Sequence, residues 1–265
     1  MKIIVSIKQV PETSNVKMDE KTGTMIREGV ESIINPLDLY AIEEAIRLKE
    51  QFCGDITVIS MGPGKAIEAI KEAIAMGCDN GILLSDRKFA GSDTWATSYV
   101  LSQCIKKIGN FDLVLCGERA TDGDTAQVGP GIASFLDLPI STFTSEIVRV
   151  EKDSIQVKRL VEGGYELLDM KLPALLTVVK EISNPRLPTL KGKLKAKEIK
   201  IPIWGPQIID AQDDCLGLNG SPTRVVKIFT QKISREGEKL IVKDEDGLNK
   251  AIDKIMNYLI SKDII

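Results

Sequence analysis

The sequence predicts an α/β fold: a doubly wound, mostly parallel sheet with an antiparallel extension and a C-terminal arm. Three observations predict it. Short apolar runs alternate with helical patterns over the first half of the 265-residue chain. After Pro139 apolar runs follow one another with no helix between them. From about residue 200 the chain turns irregular and closes with one amphipathic helix. Strand–helix alternation needs crossover connections, and these give a parallel sheet covered on both faces.

The elements follow in order. Lys2–Ile7 reads as a strand, and a polar loop runs through Lys8–Arg27 with a turn at Lys21–Thr24. Asn35 before Pro36 reads as an N-cap with proline at the first helical position. That helix extends to about Gln51, with Leu39, Ile42, Ala45, Ile46 and Leu48 on its apolar face. Asp55–Met61 is the second strand and ends in the turn Gly62-Pro-Gly64. A helix over Lys65–Met76 stops at Gly77, a left-handed cap. Ile82–Leu84 is a strand, Thr94–Ile108 a helix ended by Gly109, and Asp112–Cys116 a strand again. Then come four runs, Thr142–Val150, Ser154–Val161, Tyr165–Met170 and Ala174–Val179, with Glu162–Tyr165 as a hairpin turn. Asn184–Gly192 and the lysines that follow hold too few apolar residues for a core element. Ile203–Thr230 reads as extended and irregular. Gly247–Ile260 is an amphipathic helix with Leu248, Ile252, Ile255, Met256 and Leu259 on one side. Residues 1–200 therefore read as the α/β domain, including a segment at 184–197, and 201–265 as an arm that lacks a core of its own.

Composition narrows the function classes. The chain is 43% hydrophobic and 28% charged, with a net charge of −3, which gives no reason to expect nucleic acid or an anionic membrane as partner. No apolar run approaches the roughly 20 residues of a membrane span, and MKIIVSIKQV is too short and too promptly polar for a signal peptide. No membrane insertion and a cytoplasmic location are the expectations. The five cysteines are scattered without a C-x-x-C, which fits reduced, inert thiols. There is no histidine, so the commonest general base and metal ligand are missing, and the chemistry is expected to belong to a cofactor.

The stretch Gly117–Gly131, GERATDGDTAQVGPG, leads from a buried strand into the helix pattern Thr125–Leu136. A helix N-terminus presents unpaired backbone N–H groups and the positive end of a dipole, hence an anion site. Gly117, Gly123, Gly129 and Gly131 would let the backbone pass close to a pyrophosphate. Asp122 or Asp124 would cap the helix, or one would accept hydrogen bonds from a ribose. The spacing is neither G-x-G-x-x-G nor a P-loop. In a doubly wound sheet, ligands lie beyond the carboxyl ends of the strands, and Ser6, Asn35–Asp38, Met61–Lys65 and Gly117–Gly129 would gather there. The expected class is thus a nucleotide-binding, Rossmann-like domain. Met61 would touch an adenine or merely pack at the sheet edge, and Trp204 and Tyr165 read as packing.

The stretch VKRLVEGGYELLDMKLPALLT, Val157–Thr177, resembles the signature region of the β subunit of electron-transfer flavoproteins. Arg159, Glu162-Gly-Gly164, Glu166, Pro173 and Leu175-Leu-Thr177 match its pattern. The resemblance extends over the whole chain, through IIVSIKQVP, INPLD, AIEEAIRLKE, SMGPG and TDGDTAQVGP. It implies a heterodimer in which an α subunit carries a mobile FAD domain and this chain supplies a nucleotide site and a long arm that packs on the α subunit. In many members the β site holds AMP; in electron-bifurcating members it holds a second FAD close to an NADH site. The AMP form resembles D-D-D-C-N-Q-T-G-Q, whereas Asp122–Pro130 here resembles the bifurcating form, as do Asn184–Leu190 and Leu216–Pro222.

The implied cofactor contacts are Ser6, Asn35, Pro36, Leu37, Asp38, Met61, Gly117, Thr121, Asp122, Gly123, Asp124, Thr125, Ala126, Gln127, Val128 and Gly129. Gly62 and Gly64 would receive the phosphates of NADH, the electron donor. Leu190, with Lys191 and Lys193, would dock a flavin dehydrogenase of the acyl-CoA, enoyl-CoA or lactate type, since Leu190 matches the family's anchoring leucine. The lysines alone read as a solvated face. Ferredoxin would be the second acceptor. Two other classes stand beside this: an adenylyl-transferring enzyme, whose Ser/Gly-rich loop after the first strand is missing at Ile7–Pro11, and a non-redox nucleotide sensor, which leaves the arm unexplained.

Overall fold

The computed structural model describes residues 1–12, 32–226 and 239–265. The first apolar run forms β1 (Lys2–Ser6), and its side chains alternate as a strand requires. Ile3 and Val5 enter one apolar cluster and Ile4 the other, on the opposite face of the sheet. The chain then forms β2 (Gln9–Pro11), inside the stretch read as loop, antiparallel to β3 (Ser32–Ile34). The turn expected at Lys21–Thr24 lies outside the described residues.

Next come α1 (Asp38–Phe52), β4 (Asp55–Met61), α2 (Ile67–Met76), β5 (Asn80–Leu84), α3 (Thr94–Ile108) and β6 (Leu113–Gly117). The helix expected from Lys65 begins with a single 3₁₀ turn at Gly64–Ala66. Gly77 and Gly109, which end α2 and α3, both have positive φ, as the chain's exit from a helix favours. After α4 (Val128–Leu136) come β7 (Ile140–Val150), β8 (Ser154–Val161), β9 (Gly164–Lys171) and β10 (Ala174–Val178). The turn between β8 and β9 falls at Glu162–Gly163, as the sequence predicts.

These strands join one sheet in the order β11-β5-β4-β1-β6-β10-β7-β8-β9, where β11 is Ile203–Trp204. From β11 to β7 every pairing is parallel, and β8 and β9 extend the sheet antiparallel. β1 sits between β4 and β6. The chain winds from β1 to β4 and β5 on one side, then returns to place β6 on the other. That reversal is a topological switch point, and in sheets of this kind ligands lie beyond the carboxyl ends of the strands there.

Helices cover both faces. Ala41, Ile42 and Ile46 of α1 with Ile70 and Ile74 of α2 pack on one, and Val100 and Ile105 of α3 with Ile132 of α4 on the other. Each large aliphatic side chain so buried contributes about 1.5–3 kcal/mol.

Two segments depart from expectation. Residues 190–198, read as a loop rich in lysine, form the helix α5 (Leu190–Glu198). The Thr189 hydroxyl caps it by accepting from the Gly192 N–H at 2.9 Å. A methyl group at Gly192 would lie 2.0 Å from the Ala75 carbonyl oxygen, so only glycine lets α5 rest on the end of α2. Packing against α2 supplies what the local apolar content does not.

The stretch from 201 to 226, assigned to the arm by composition, is built into the α/β unit. β11 pairs with β5, Ile209 and Leu216 are buried, and a short helical turn, α6 (Gly217–Gly220), follows. Asp93 Oδ2 accepts from both the N–H and hydroxyl of Thr223. Residues 239–265 fall in a second unit containing α7 (Glu245–Ser261), in which Leu248, Ile252, Ile255 and Met256 are exposed.

Candidate functional site

Ser6, Met61 and Gly117 close β1, β4 and β6, and the register sets Ser6 beside Ile59 and Cys116. The entrance to α1 faces them. Asn35 does not cap that helix, whose first turn has no side-chain cap. Its fully buried side chain instead ties down the loop after β6, donating to the Arg119 carbonyl at 2.8 Å and accepting from the Thr121 N–H at 3.1 Å. Pro36 is exposed and Leu37 half-buried at the same entrance.

Asp38 is buried, and its Oδ2 accepts from the Lys8 N–H at 2.7 Å. Burial pushes its carboxyl up to about 7, against the opposing hydrogen bonds from Lys8, Asn35 and Gly117. A methyl group on Gly117 would lie 2.4 Å from Asp38 Oδ1, so this glycine lets β6 approach the head of α1.

The loop after Gly117 turns on the Ala120 carbonyl, which accepts from Gly123 and Asp124. Asp124 and Ala126 have φ of 52° and 54°, in the left-handed region. Gln127, next in the chain, is right-handed (φ −103°, ψ −14°). A left-handed residue followed by a right-handed one turns successive N–H groups to one side, which makes an anion-binding nest. Among the described residues no hydrogen bond reaches the N–H of Thr125, Ala126, Gln127, Val128 or Gly129. Five donors without a hydrogen-bond partner thus lie at a strand-to-helix junction, in a loop that is largely exposed up to Gln127.

Three expectations about this loop need correction. The helix begins at Val128 instead of Thr125, because two left-handed residues precede it. Neither Asp122 nor Asp124 caps it. Asp122 pairs with Lys8 Nζ at 2.6 Å and Asp124 with Arg119 Nε at 3.0 Å. Gly129 does not clear space for a ligand: a methyl there would meet Thr177 Cγ2 at 2.4 Å, so it serves the packing of α4 on β10. Gly131 serves the contact with Ser98 of α3 in the same way. Gly123 and Gly64 border open space. Gly62 donates its N–H to the Leu84 carbonyl at 3.0 Å.

Lys8 and Arg119 were not singled out in the sequence, although a basic residue two positions after the strand-ending Ser6 was a signal available there. The thiols Cys78 and Cys104 are pushed up to about 12 by burial, and Cys116 is raised by burial and by the neighbouring Asp38.

Leu190, Lys191 and Lys193 are not part of this cluster. The Thr189 N–H donates to the Ala75 carbonyl at the end of α2, which puts the start of α5 at the amino edge of the sheet. Leu190 is 78% exposed there, with Leu187 and Leu194 exposed beside it. The Arg186 guanidinium, bonded to the buried Glu43 and to Glu50, holds this segment on α1.

The fold and this edge define a doubly wound α/β domain with a row of unpartnered backbone N–H groups at its switch point. The electron transfer flavoprotein domain matches residues 22–205. The chain is 47% identical to the electron transfer flavoprotein subunit beta of Thermoanaerobacterium thermosaccharolyticum, over the full length of both. It is 44% identical to the caffeyl-CoA reductase-Etf complex subunit CarD of Acetobacterium woodii, over 99% of this chain and 97% of that one. Protein FixA of Azotobacter vinelandii is 43% identical over 95% and 92% of the two chains. The chain belongs to the electron transfer flavoprotein family and is similar throughout to its β subunits. Among the described residues no helix is long and apolar enough to cross a membrane.

Proposed function

We propose that this chain is the β subunit of a bifurcating electron-transfer flavoprotein heterodimer, and that the carboxyl edge of its sheet holds FAD. The observation that carries the reading is the row of unpartnered N–H groups at Thr125–Gly129, curved by the left-handed Asp124 and Ala126. Such a nest suits a pyrophosphate, and Gly123 leaves the approach open. The residues present fit the group. The N–H groups would hold its phosphates, Ser6 and the Asn35–Asp38 turn would line the site, and Met61 would border the ring system. The bound flavin would take a hydride from NADH and release its two electrons singly, one to ferredoxin and one by way of the α-subunit FAD to a partner dehydrogenase.

What this chain does is bind and orient. It offers no histidine, and its buried thiols stay protonated at neutral pH. Gly64, beside open space, is the position for the NADH phosphates. The partner docks through Leu190 with Lys191 and Lys193, at the far edge of the sheet. The likeness to a subunit named for a caffeyl-CoA reductase complex favours an acyl-CoA type of partner.

Counting nucleotides in the purified heterodimer tests the reading. Two FAD per pair, with NADH-driven ferredoxin reduction that needs the second acceptor, is the expected result. One FAD and one AMP in a fully loaded sample would overturn it in favour of simple electron carriage.

A further inference from the structure

We propose that Lys8 supplies the cation for the phosphates of the nucleotide, and that Asp122 holds it in reserve until they arrive. The inference rests on the reading of the carboxyl edge of the sheet as a nucleotide site. Its starting point is a charge imbalance. Glu118, Asp122 and Asp124 all lie at this edge, on the loop after β6. An anionic ligand seated on the N–H groups of that loop would meet these carboxylates, and needs a compensating charge. Arg119 is committed: its Nε lies 3.0 Å from Asp124 and 3.5 Å from Glu118. Among the described residues the Lys8 ammonium makes its one ion pair with Asp122.

The geometry of Lys8 suits an exchange of partner. Its backbone is fixed, the N–H donating to Asp38 at 2.7 Å and the carbonyl accepting from Asn35 at 2.8 Å. Its ammonium reaches across from the end of β1 to the loop that bears the five free donors. The lysine side chain is 47% exposed and that of Asp122 18%. With the ammonium side half exposed to water, releasing this pair costs less than breaking a buried one. A phosphate offers a stronger, charge-assisted partner for the same ammonium. Asp122 would then be the competitor that the phosphate displaces, and nucleosides would draw nothing from Lys8.

This makes predictions of opposite sign for two residues that touch each other. The test measures binding of ADP and of adenosine to the α-subunit complex stripped of nucleotide, by equilibrium dialysis. Lys8→Gln weakens ADP binding about tenfold, the worth of one charge-assisted contact, and leaves adenosine unchanged. Lys8→Arg keeps the ADP affinity. Asp122→Asn frees the lysine and tightens ADP binding several-fold.

If the pair were only a latch on the loop, both losses would weaken binding together, for ADP and adenosine alike. That result overturns the proposal, and so does an unaltered ADP affinity in Lys8→Gln. A melting curve close to that of the unaltered complex shows that each variant is folded; should Lys8→Gln not fold, the sign of the Asp122→Asn effect decides. Failure of the unaltered, nucleotide-free complex to bind ADP or FAD beyond the one α-subunit flavin would instead remove the nucleotide reading, and this inference with it.

Discussion

Burial has lifted the Asp38 carboxyl from its ordinary 3.8 to about 7, despite the hydrogen bonds that favour its charged form. Between those two values the native state holds a proton that the unfolded chain releases. The sign follows: the stability this group confers is full below about 3.8 and is lost as pH rises towards 7. The whole effect is of the order of 4 kcal/mol at most. Asp38→Asn keeps an acceptor for the Lys8 N–H and removes the titration. Denaturation midpoints should therefore fall more steeply between pH 5 and pH 8 in the natural protein than in the variant; parallel profiles would contradict this. Neither the burial nor the titration was legible in the sequence, where Asp38 reads as one of the implied cofactor contacts. The glycines teach the same lesson. Their spacing in Gly117–Gly131 aims them all at a ligand, yet Gly117, Gly129 and Gly131 each face a side chain from a distant segment. Which atoms stand opposite a glycine is a property of the tertiary fold, and local pattern does not carry it.

Elements whose signals are local were legible. β4 falls where its apolar run places it, and α3 where the periodicity and Gly109, with its positive φ, place it, because those signals are written nearby. α5 was not legible, since its stability comes from Gly192 against Ala75 and from Lys195 Nζ, which donates to the Cys78 carbonyl at 3.1 Å. The order of the sheet was legible only in outline: alternation calls for a parallel sheet, but the insertion of β10 between β6 and β7 has no local mark. The helix α5 matters because it turns a presumed loop into a rigid mount. Leu190 begins it, Leu194 lies one turn on, and Leu187 precedes the cap, all exposed. Leu190→Glu should leave folding intact, because the side chain is already in water, and leave flavin content and reduction by NADH unchanged. It should slow transfer to the partner dehydrogenase about tenfold or more at sub-saturating partner, since a charge buried at an apolar anchor is costly. Stopped-flow reduction of the partner measures this, and unaltered kinetics would remove the docking role.

At the scale of the whole molecule, the chain has more apolar surface than one subunit can use. Of the residues in α7, none is buried, and Leu248, Ile252, Ile255, Met256 and Ile260 are all exposed. An amphipathic helix of 17 residues gains little stability by itself in water; packing its apolar stripe against another surface is what holds such helices. In an electron-transfer flavoprotein heterodimer the α subunit is the surface on offer. Where the arm should be cut follows from the fold and not from composition. A cut at 205 would take away Ile209 and Leu216, which are buried in the cluster that holds α3, together with Ser221 and Thr223, which bond Asp93. It would damage the α/β unit and confuse two effects. A truncation after residue 226 leaves those contacts in place. The shortened chain should stay soluble, with a thermal unfolding midpoint within a few degrees of the full chain's, since it keeps the whole nine-stranded sheet. It should fail to co-purify with a tagged α subunit, because the stripe of apolar side chains that the α subunit would cover is gone. Co-purification at the full-length yield would mean that the α/β unit alone makes the interface, and that α7 serves some other surface.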